Sequence, residues 1–354
     1  MIISVYIACG SLDIRALEAL QCRYKPNRIR DQSEANMSDL PQRIDVQEEG
    51  PREGFQFEKG PISTERKIEL IDALSETGLG EIQVGSYVNP KRVPGWADVE
   101  NVVSGIARRE GVRYTALWLN ERGLERALAA EGLFLKGSIG TSASETFMKL
   151  NQNRGYADNE KVQHNQVALY KEHGITYFRG SMMAAFGCNF EGDVPIAKVI
   201  EQAESIRRIA DENDVKVDIL SLADTMAWAT PESVKQVVGA VRDRWPDWRI
   251  TLHLHDTRGL GVANAYAGLQ MGVDSFDSSV AGLGGCPFAG HKGAAGNVCT
   301  EDLVFMCQEM GIDTGIDLEA LLDAARLAED VVGHDLPGSV KRGGSLNTLR
   351  KKLH

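Results

Sequence analysis

RITLHLHDTRGLGVANAYAGLQMG (residues 249–272) predicts one strand followed directly by one helix. RITLHLHDT is a short run rich in β-branched and apolar residues, whereas GVANAYAGLQMG has a helical pattern. From about residue 43 onward the same alternation recurs along the chain. The predicted strands are 43–48, 81–87, 113–119, 134–140, 176–184, 216–224, 249–257 and 275–282.

Helical patterns fill the intervals between these strands. The clearest is STERKIELIDALSETG (63–78), which opens on a capping serine and threonine and ends on a glycine. Eight strands that are each followed by a helix predict an α/β fold, a closed (β/α)8 TIM barrel. The alternative is an open, doubly wound sheet, which normally carries a glycine fingerprint after its first strand. GPREGFQ (50–56) is not that fingerprint.

We predict a single domain with two appendages. Residues 43–333 form the barrel. Residues 1–42 are an N-terminal extension, because they do not join the strand–helix pattern. Residues 334–354 are a short, Gly-rich and basic tail, either a mobile end or a lid over an anionic substrate.

Composition excludes several classes of protein. The net charge of −11 argues against non-specific binding of nucleic acid or anionic lipid. The six cysteines have no paired spacing and no CxxC, which is typical of a reduced, cytoplasmic protein. The apolar start MIISVYIACGSL lacks a basic region and is too short to span a membrane.

Candidate site residues lie at predicted strand ends, where barrel enzymes place their active sites. His253 and His255 are two residues apart, so both imidazoles emerge on one face of the seventh strand and could bind a metal. The alternative is a buried polar pair hydrogen-bonded to neighbouring strands. Asp224 ends the sixth strand, either as a site carboxylate or as a helix cap. Gln83 is placed at the end of the second strand.

VAGLGGCPFAGHKGAAGN (280–297) predicts a flexible loop, because six of its residues are glycine. Cys286 lies in its middle, and a cysteine in an exposed loop can act as a proton donor or nucleophile. Asn297 closes the loop, either as a helix cap or as a ligand through its amide oxygen.

GPREGFQ places Arg52 and Glu53 in a short turn after the first strand. They could form a surface ion pair or point into an active site. A closed barrel brings the first strand next to the eighth, so Glu53 would converge with His253, His255 and Asn297. This set of oxygen and nitrogen ligands suits Mg²⁺, Mn²⁺ or Zn²⁺ without selecting one.

From about residue 43 to 333 the chain resembles 3-hydroxy-3-methylglutaryl-CoA lyase and its relatives in the metal-dependent lyase and synthase TIM-barrel superfamily. The motifs that carry the resemblance are GPREGFQ, SYVNPKRVP, AAFGCNFEGDVP, LADT, HLHDTRGLGVANAYAGLQMGVDSFDSSVAGLGGCPFA and AAGNVCTEDLVFM. The long match through the seventh and eighth strands is the most specific.

The resemblance implies a role for each candidate residue. His253, His255 and Asn297 fall on family metal ligands, and Arg52 falls on the arginine that stabilises the enolate of the acyl-CoA product. Cys286 falls on the loop cysteine that transfers a proton, and Asp224 on an active-site carboxylate.

Two residues depart from the family pattern. The first loop of the family typically reads PRDG with aspartate as a metal ligand, and this chain has Glu53. The family typically has glutamate where this chain has Gln83. The loop from Cys286 to Asn297 is also two residues longer than expected. In the first change a carboxylate becomes longer by one methylene group, and in the second a carboxylate becomes a neutral amide. Because these two changes look complementary, they predict a working site with an altered acyl substrate.

The resemblance implies a metal-dependent lyase that splits a 3-hydroxyacyl-CoA by retro-aldol chemistry into an acyl-CoA and a keto product. It also implies a homodimer. Two alternatives stay open: a condensing enzyme of the same superfamily that uses an acyl-CoA, and a catalytically weak barrel that binds metal or CoA. The expected partner is a small acyl-CoA, with no nucleic acid and no membrane.

Overall fold

The structure, a computed structural model, describes residues 40–58, 60–285 and 295–353. Within these residues eight parallel strands form one sheet in the order β3-β2-β1-β8-β7-β6-β5-β4. The strands are β1 Asp45–Glu48, β2 Glu81–Ser86, β3 Arg113–Leu117, β4 Gly137–Ser142, β5 Phe178–Met183, β6 Val217–Asp224, β7 Arg249–Leu254 and β8 Ser275–Ser278.

The sheet curls into a barrel because its first and last strands are neighbours. β1 pairs with β2 on one side and with β8 on the other. Between β3 and the approach to β4, the Phe134 amide donates to the Tyr114 carbonyl at 2.7 Å. The predicted (β/α)8 TIM barrel is therefore confirmed.

Helices surround the sheet. Most have clear end signals, such as the Ser63 hydroxyl that accepts from the Arg66 amide, and the Thr230–Ser233 capping box. They are α1 Gly50–Phe55, α2 Thr64–Ser75, α3 Val99–Gly105, α4 Glu121–Leu128, α5 Glu145–Gln152, α6 Tyr156–Glu172, α7 Ile196–Glu212, α8 Pro231–Arg244, α9 Gly261–Gln270, α10 Thr300–Glu309, α11 Leu318–Val332, α12 Val340–Gly343 and α13 Leu346–Leu353.

β7 shows how the alternation of a strand divides core from site. Ile250, Leu252 and Leu254 are fully buried on the face that packs under the helices. Gly268 of α9 permits close contact there, because a Cβ at this position would lie 2.5 Å from Leu252 Cδ1. The residues between them face the barrel interior, where Thr251 donates to Ser275 at 2.8 Å. The same period of two carries His253 to the interior.

The middle of the barrel interior is charged. An inner layer consists of Gln47, Glu81, Lys136, Arg179 and Asp277. Lys136 Nζ contacts Glu81 and lies 3.2 Å from Gln47 Oε1. Arg179 donates to the same Gln47 oxygen at 2.9 Å and forms a buried ion pair with Asp277. Buried charges are tolerated only when paired, and these cations each meet a carboxylate.

Three predicted local structures are wrong. GPREGFQ is a helix, not a turn, because Pro51 suits its first turn and the Gly50 amide donates to Glu48 Oε1 at 2.7 Å. Gln83 is the third residue of β2, which continues to Ser86 through a register shift. β8 ends at Ser278, and a 3-10 turn with Ala281 at φ 56° follows instead of further strand.

The predicted C-terminal tail forms helices α12 and α13. The Ser339 amide donates to Asp302 at 3.0 Å, and the buried Lys341 donates to Glu329 at 2.5 Å. Among the described helices, none combines the length and the apolar composition needed to cross a bilayer.

Candidate active site

The two histidines meet at the carboxyl end of β7. His255 follows the strand by one residue and forms a backbone bridge with Asn297. His253 Nε2 lies 3.3 Å from His255 Nε2, and His253 Nδ1 lies 3.1 Å from Asp277 Oδ2. Because the carboxylate accepts the proton of Nδ1, Nε2 of His253 is the nitrogen available as a ligand.

Helix α1 brings Arg52 and Glu53 to the same place. Glu53 is buried, and its Oε1 lies 2.9 Å from Arg52 Nη2 and 3.8 Å from His253 Nε2. Arg52 also donates through Nε to Gln83 Oε1. The pair therefore belongs to the barrel interior, which excludes a surface ion pair.

Asn297 completes this group from the segment after β8. It is fully buried, and its Nδ2 donates to Glu53 Oε2 at 3.0 Å. No described residue pairs with its Oδ1, nor with Nδ1 of the buried His255. Buried polar atoms without a partner are rare and indicate a missing ligand or ion.

We call Arg52, Glu53, Asp224, His253, His255 and Asn297 the rim cluster. Within it, ligand atoms of Glu53, His253 and His255 all lie within 4.8 Å of one another. A carboxylate and two imidazoles, with an amide oxygen beside them, suit a divalent cation. The donor set and the unpartnered Asn297 oxygen thus fit a metal ion.

The electrostatics of the two histidines also favour a cation. Burial would lower the pKa of His253, but the hydrogen bond to Asp277 and the charges of two glutamates raise it to about 9. Burial and the neighbouring His253 lower the pKa of His255 to about 4. His253 thus lies where positive charge is favoured, whereas His255 stays a neutral imidazole that can act as a ligand. Burial opposes ionisation of Glu53, yet Arg52 and the imidazoles keep its pKa below the usual value.

Asp224 ends β6 beside this group. Its Oδ1 accepts from the amides of Trp228 at 2.6 Å and Ala229 at 3.1 Å. Its Oδ2 is buried, and no partner for it is found in the described part of the chain. Burial raises the pKa of Asp224 to about 7, only partly offset by these hydrogen bonds. A carboxylate with this pKa can accept a proton near neutral pH.

The structure thus brings together all but one of the predicted site residues. Gln83 reaches the cluster through Arg52 although it lies within β2. Cys286 lies outside the described residues, so its predicted role stays a prediction. Shortly before that gap, Leu283 and Gly284 pack against α1, since a Cβ on Gly54 would lie 2.2 Å from Leu283 Cγ.

Sequence reasoning missed Glu49 and Asp277, which both lie within 3.5 Å of His253 Nδ1. Glu49, His253 and Asp277 form a second group of possible metal ligands. The signal for Asp277 was its place on β8, opposite His253 in the strand register. Glu49 carried no comparable signal, because nothing in the sequence distinguishes it from the charged residues next to it, Glu48, Arg52 and Glu53.

The fold and the rim cluster define a (β/α)8-barrel enzyme with a group of candidate metal ligands at the carboxyl ends of its strands. Comparison with known protein families identifies one family within this class of enzymes. The chain belongs to the HMGL-like family, whose model matches residues 43–328.

Individual relatives agree with this assignment. Hydroxymethylglutaryl-CoA lyase YngG of Bacillus subtilis is 41% identical over 297 residues, covering 84% of this chain and 96% of the relative. The mitochondrial hydroxymethylglutaryl-CoA lyase of Rattus norvegicus is 41% identical, covering 84% of this chain and 88% of its own. A solved HMG-CoA lyase from Acinetobacter baumannii, in complex with coenzyme A and 3-methylmalate, has a TM-score of 0.77 at 38% identity and covers 87% of this chain and 96% of its own.

These similarities confirm the resemblance found in the sequence and the prediction of a carbon–carbon lyase of the hydroxymethylglutaryl-CoA lyase type.

Proposed function

We propose that this protein is a divalent-metal-dependent lyase that cleaves 3-hydroxy-3-methylglutaryl-CoA, or a close 3-hydroxyacyl-CoA analogue, by retro-aldol chemistry. For the named thioester the products are acetyl-CoA and acetoacetate. The observation that carries this proposal is the buried group of Glu53, His253 and His255, with Asn297 beside it and Arg52 in contact.

Glu53, His253, His255 and Asn297 would hold the metal. When bound, a divalent cation polarises a hydroxyl group and lowers its pKa, which is the chemistry that retro-aldol cleavage requires. Asp277 keeps Nδ1 of His253 occupied and so fixes the orientation of the ring. The particular metal among Mg²⁺, Mn²⁺ and Zn²⁺ is left to measurement.

Asp224 is the proposed general base. Its Oδ2, which has no partner among the described residues, and its pKa of about 7 suit removal of the hydroxyl proton of the substrate. Loss of that proton releases the electron pair that breaks the carbon–carbon bond and leaves the enolate of an acyl-CoA.

Arg52 is the proposed partner of that enolate. Its guanidinium is held by Glu49 and Glu53, so its charge is already in place when negative charge develops on the thioester oxygen. Protonation of the enolate carbon would fall to Cys286, which the sequence places in the loop after Gly285.

The acyl-CoA part of the substrate is supported by a relative, since the Acinetobacter baumannii structure contains coenzyme A and 3-methylmalate. Glu53 and Gln83, which depart from the family pattern, both contact the Arg52 guanidinium, Glu53 at Nη2 and Gln83 at Nε. Their position next to the proposed enolate partner supports a different acyl group. A homodimer remains a prediction from the family resemblance, to be checked by sedimentation.

The test is an assay of the purified, metal-stripped protein with 3-hydroxy-3-methylglutaryl-CoA and each of the three metals. We expect acetyl-CoA and acetoacetate in equal amounts, only with metal present. A series of 3-hydroxyacyl-CoA esters with larger substituents identifies the preferred acyl group. No cleavage of any of these esters with any metal would overturn the proposal.

A further inference from the structure

Glu49 is a buried carboxylate between β1 and α1 that does not cap the helix at whose start it stands. It stands at the N-cap of α1, yet its side chain forms no capping hydrogen bond. The Gly50 amide is satisfied by Glu48 instead. Burial of a carboxylate is costly without a partner, so the partner that Glu49 does have defines its role.

That partner is Arg52. Glu49 Oε2 accepts from Arg52 Nη2 at 2.6 Å, while Nε of the same guanidinium donates to Gln83. In the described residues Nη1 has no acceptor, so one edge of the fork is left for a ligand. Gln83 is neutral, and Glu53 also lies in the possible metal group. Glu49 is therefore the charged contact of Arg52 that is independent of that group.

A second metal ion between Glu49, His253 and Asp277 is disfavoured by charge. Glu49 is bonded to Arg52, and Asp277 is bonded to Arg179. A dication there would lie beside two guanidinium groups that already neutralise its ligands. The contact with Arg52 is the better explanation for Glu49.

We propose that Glu49 is a positioning residue for the reaction: it supplies, from the end of β1, the carboxylate that fixes the Arg52 guanidinium, and so compensates for the neutral amide of Gln83. This inference rests on the proposed function, because it treats Arg52 as the partner of the enolate. It assigns a role to a residue that touches neither substrate nor metal.

The experiment first replaces Glu49 alone and then exchanges the side chains of Glu49 and Gln83. Glu49→Gln should lower kcat about 10- to 100-fold, the range typical for loss of a charged hydrogen bond. The KM for the thioester should change less than about threefold, because the residue touches no substrate. The bound Mn²⁺ per chain should also change less than about threefold, because Asp277 still holds Nδ1 of His253 at 3.1 Å when Glu49, 3.5 Å away, loses its charge. Glu49→Asp should retain more activity than Glu49→Gln. Glu125→Gln, an exposed change on α4, is the matched control and should leave turnover unchanged.

The decisive variant is Glu49→Gln combined with Gln83→Glu. It returns a carboxylate to Arg52 at Nε, where Gln83 is bound, so kcat should recover about tenfold or more over Glu49→Gln alone. Two results overturn the inference: wild-type kcat in Glu49→Gln, or a double variant no better than the product of the single losses.

A measurement on the metal-free protein separates this inference from the proposed function. Hydrogen exchange at the Arg52 Nη2, which donates to Glu49, is followed by nitrogen-15 NMR and assigned with Arg52→Lys; it should be about tenfold or more faster in Glu49→Gln. Unchanged exchange would overturn the positioning role whatever the enzyme cleaves. Faster exchange in a protein that cleaves no 3-hydroxyacyl-CoA would support the contact and overturn the proposed function alone.

Discussion

The inner layer and the rim cluster are neighbours in the same barrel, but their buried polar side chains differ in whether they are paired. In the inner layer Lys136 meets Glu81, and Arg179 meets Asp277. In the rim cluster, buried atoms of Asp224, His255 and Asn297 have no partner among the described residues. The inner layer also has unpaired atoms, Arg179 Nε and Asp277 Oδ1, but both belong to residues that are ion-paired with each other.

The difference separates charges that stabilise the fold from charges kept for a ligand. A buried ion pair becomes strongly destabilising when one member is removed. A buried polar atom without a partner already costs free energy in the folded state, so its removal should not destabilise the protein. Substitutions in the inner layer should therefore affect folding. Substitutions of Asp224, His255 and Asn297, whose buried atoms lack a described partner, should affect chemistry.

The largest expected effect is on turnover in the rim cluster. His255→Ala removes a ligand whose Nδ1 has no described partner, so activity should fall by about a thousandfold or more while the melting temperature stays within a few degrees. His173→Ala, at an exposed position, is the control and should behave as wild type. A folded His255→Ala enzyme with near-normal turnover would remove the distinction between the two regions.

The next effect is on stability in the inner layer. Arg179→Met leaves the Asp277 carboxylate buried without its cation, so the free energy of unfolding should fall by about 3 to 5 kcal/mol in urea denaturation. Arg326→Met breaks an exposed pair and should cost less than about 1 kcal/mol. Equal losses in the two variants would show that the inner layer does not stabilise the fold as described.

The smallest expected effect is the pH dependence of Asp224→Asn. The pKa of about 7 in the folded protein lies above the ordinary aspartate pKa of about 3.9. Wild-type Asp224 therefore contributes stability below pH 4 that is lost as pH rises through 7. An asparagine oxygen can still accept from the amides of Trp228 and Ala229. The metal-free variant should thus match wild type near pH 4 and exceed it by a few kcal/mol at pH 8.

Activity gives the second measurement on Asp224. If it is the base, wild-type kcat/KM should rise about tenfold per pH unit below 7 and level off above it. Asp224→Asn should lose this rise together with most of its activity. A retained slope in the variant would assign the titration to another group.

Much of this arrangement was predictable because it depends on local rules. The period of two in β7 placed His253 and His255 on one face, and barrel closure brought Glu53 towards them. The Ser63 cap and the strand–helix alternation are also local signals, and the structure confirms them.

The rest depends on contacts between distant residues. Helix α1 begins at Gly50 because Glu48 accepts from its amide, and GPREGFQ alone predicted a turn. Glu49 and Arg52 form a local i,i+3 pair at the start of α1, but this pair lies beside His253 only when β1, α1 and β7 are assembled. The same holds for the pairing of Arg179 with Asp277 across the barrel.

The most direct test of the central claim is to titrate metal-stripped wild-type protein with Mn²⁺ while measuring bound metal and cleavage of 3-hydroxy-3-methylglutaryl-CoA in the same samples. If the rim cluster is a catalytic metal site, turnover should rise from the baseline in proportion to occupancy and saturate at one ion per chain. His255→Ala should lose both the bound metal and the turnover. Turnover that is unchanged by removal of metal, or that persists when His255→Ala has lost the ion, would contradict the account.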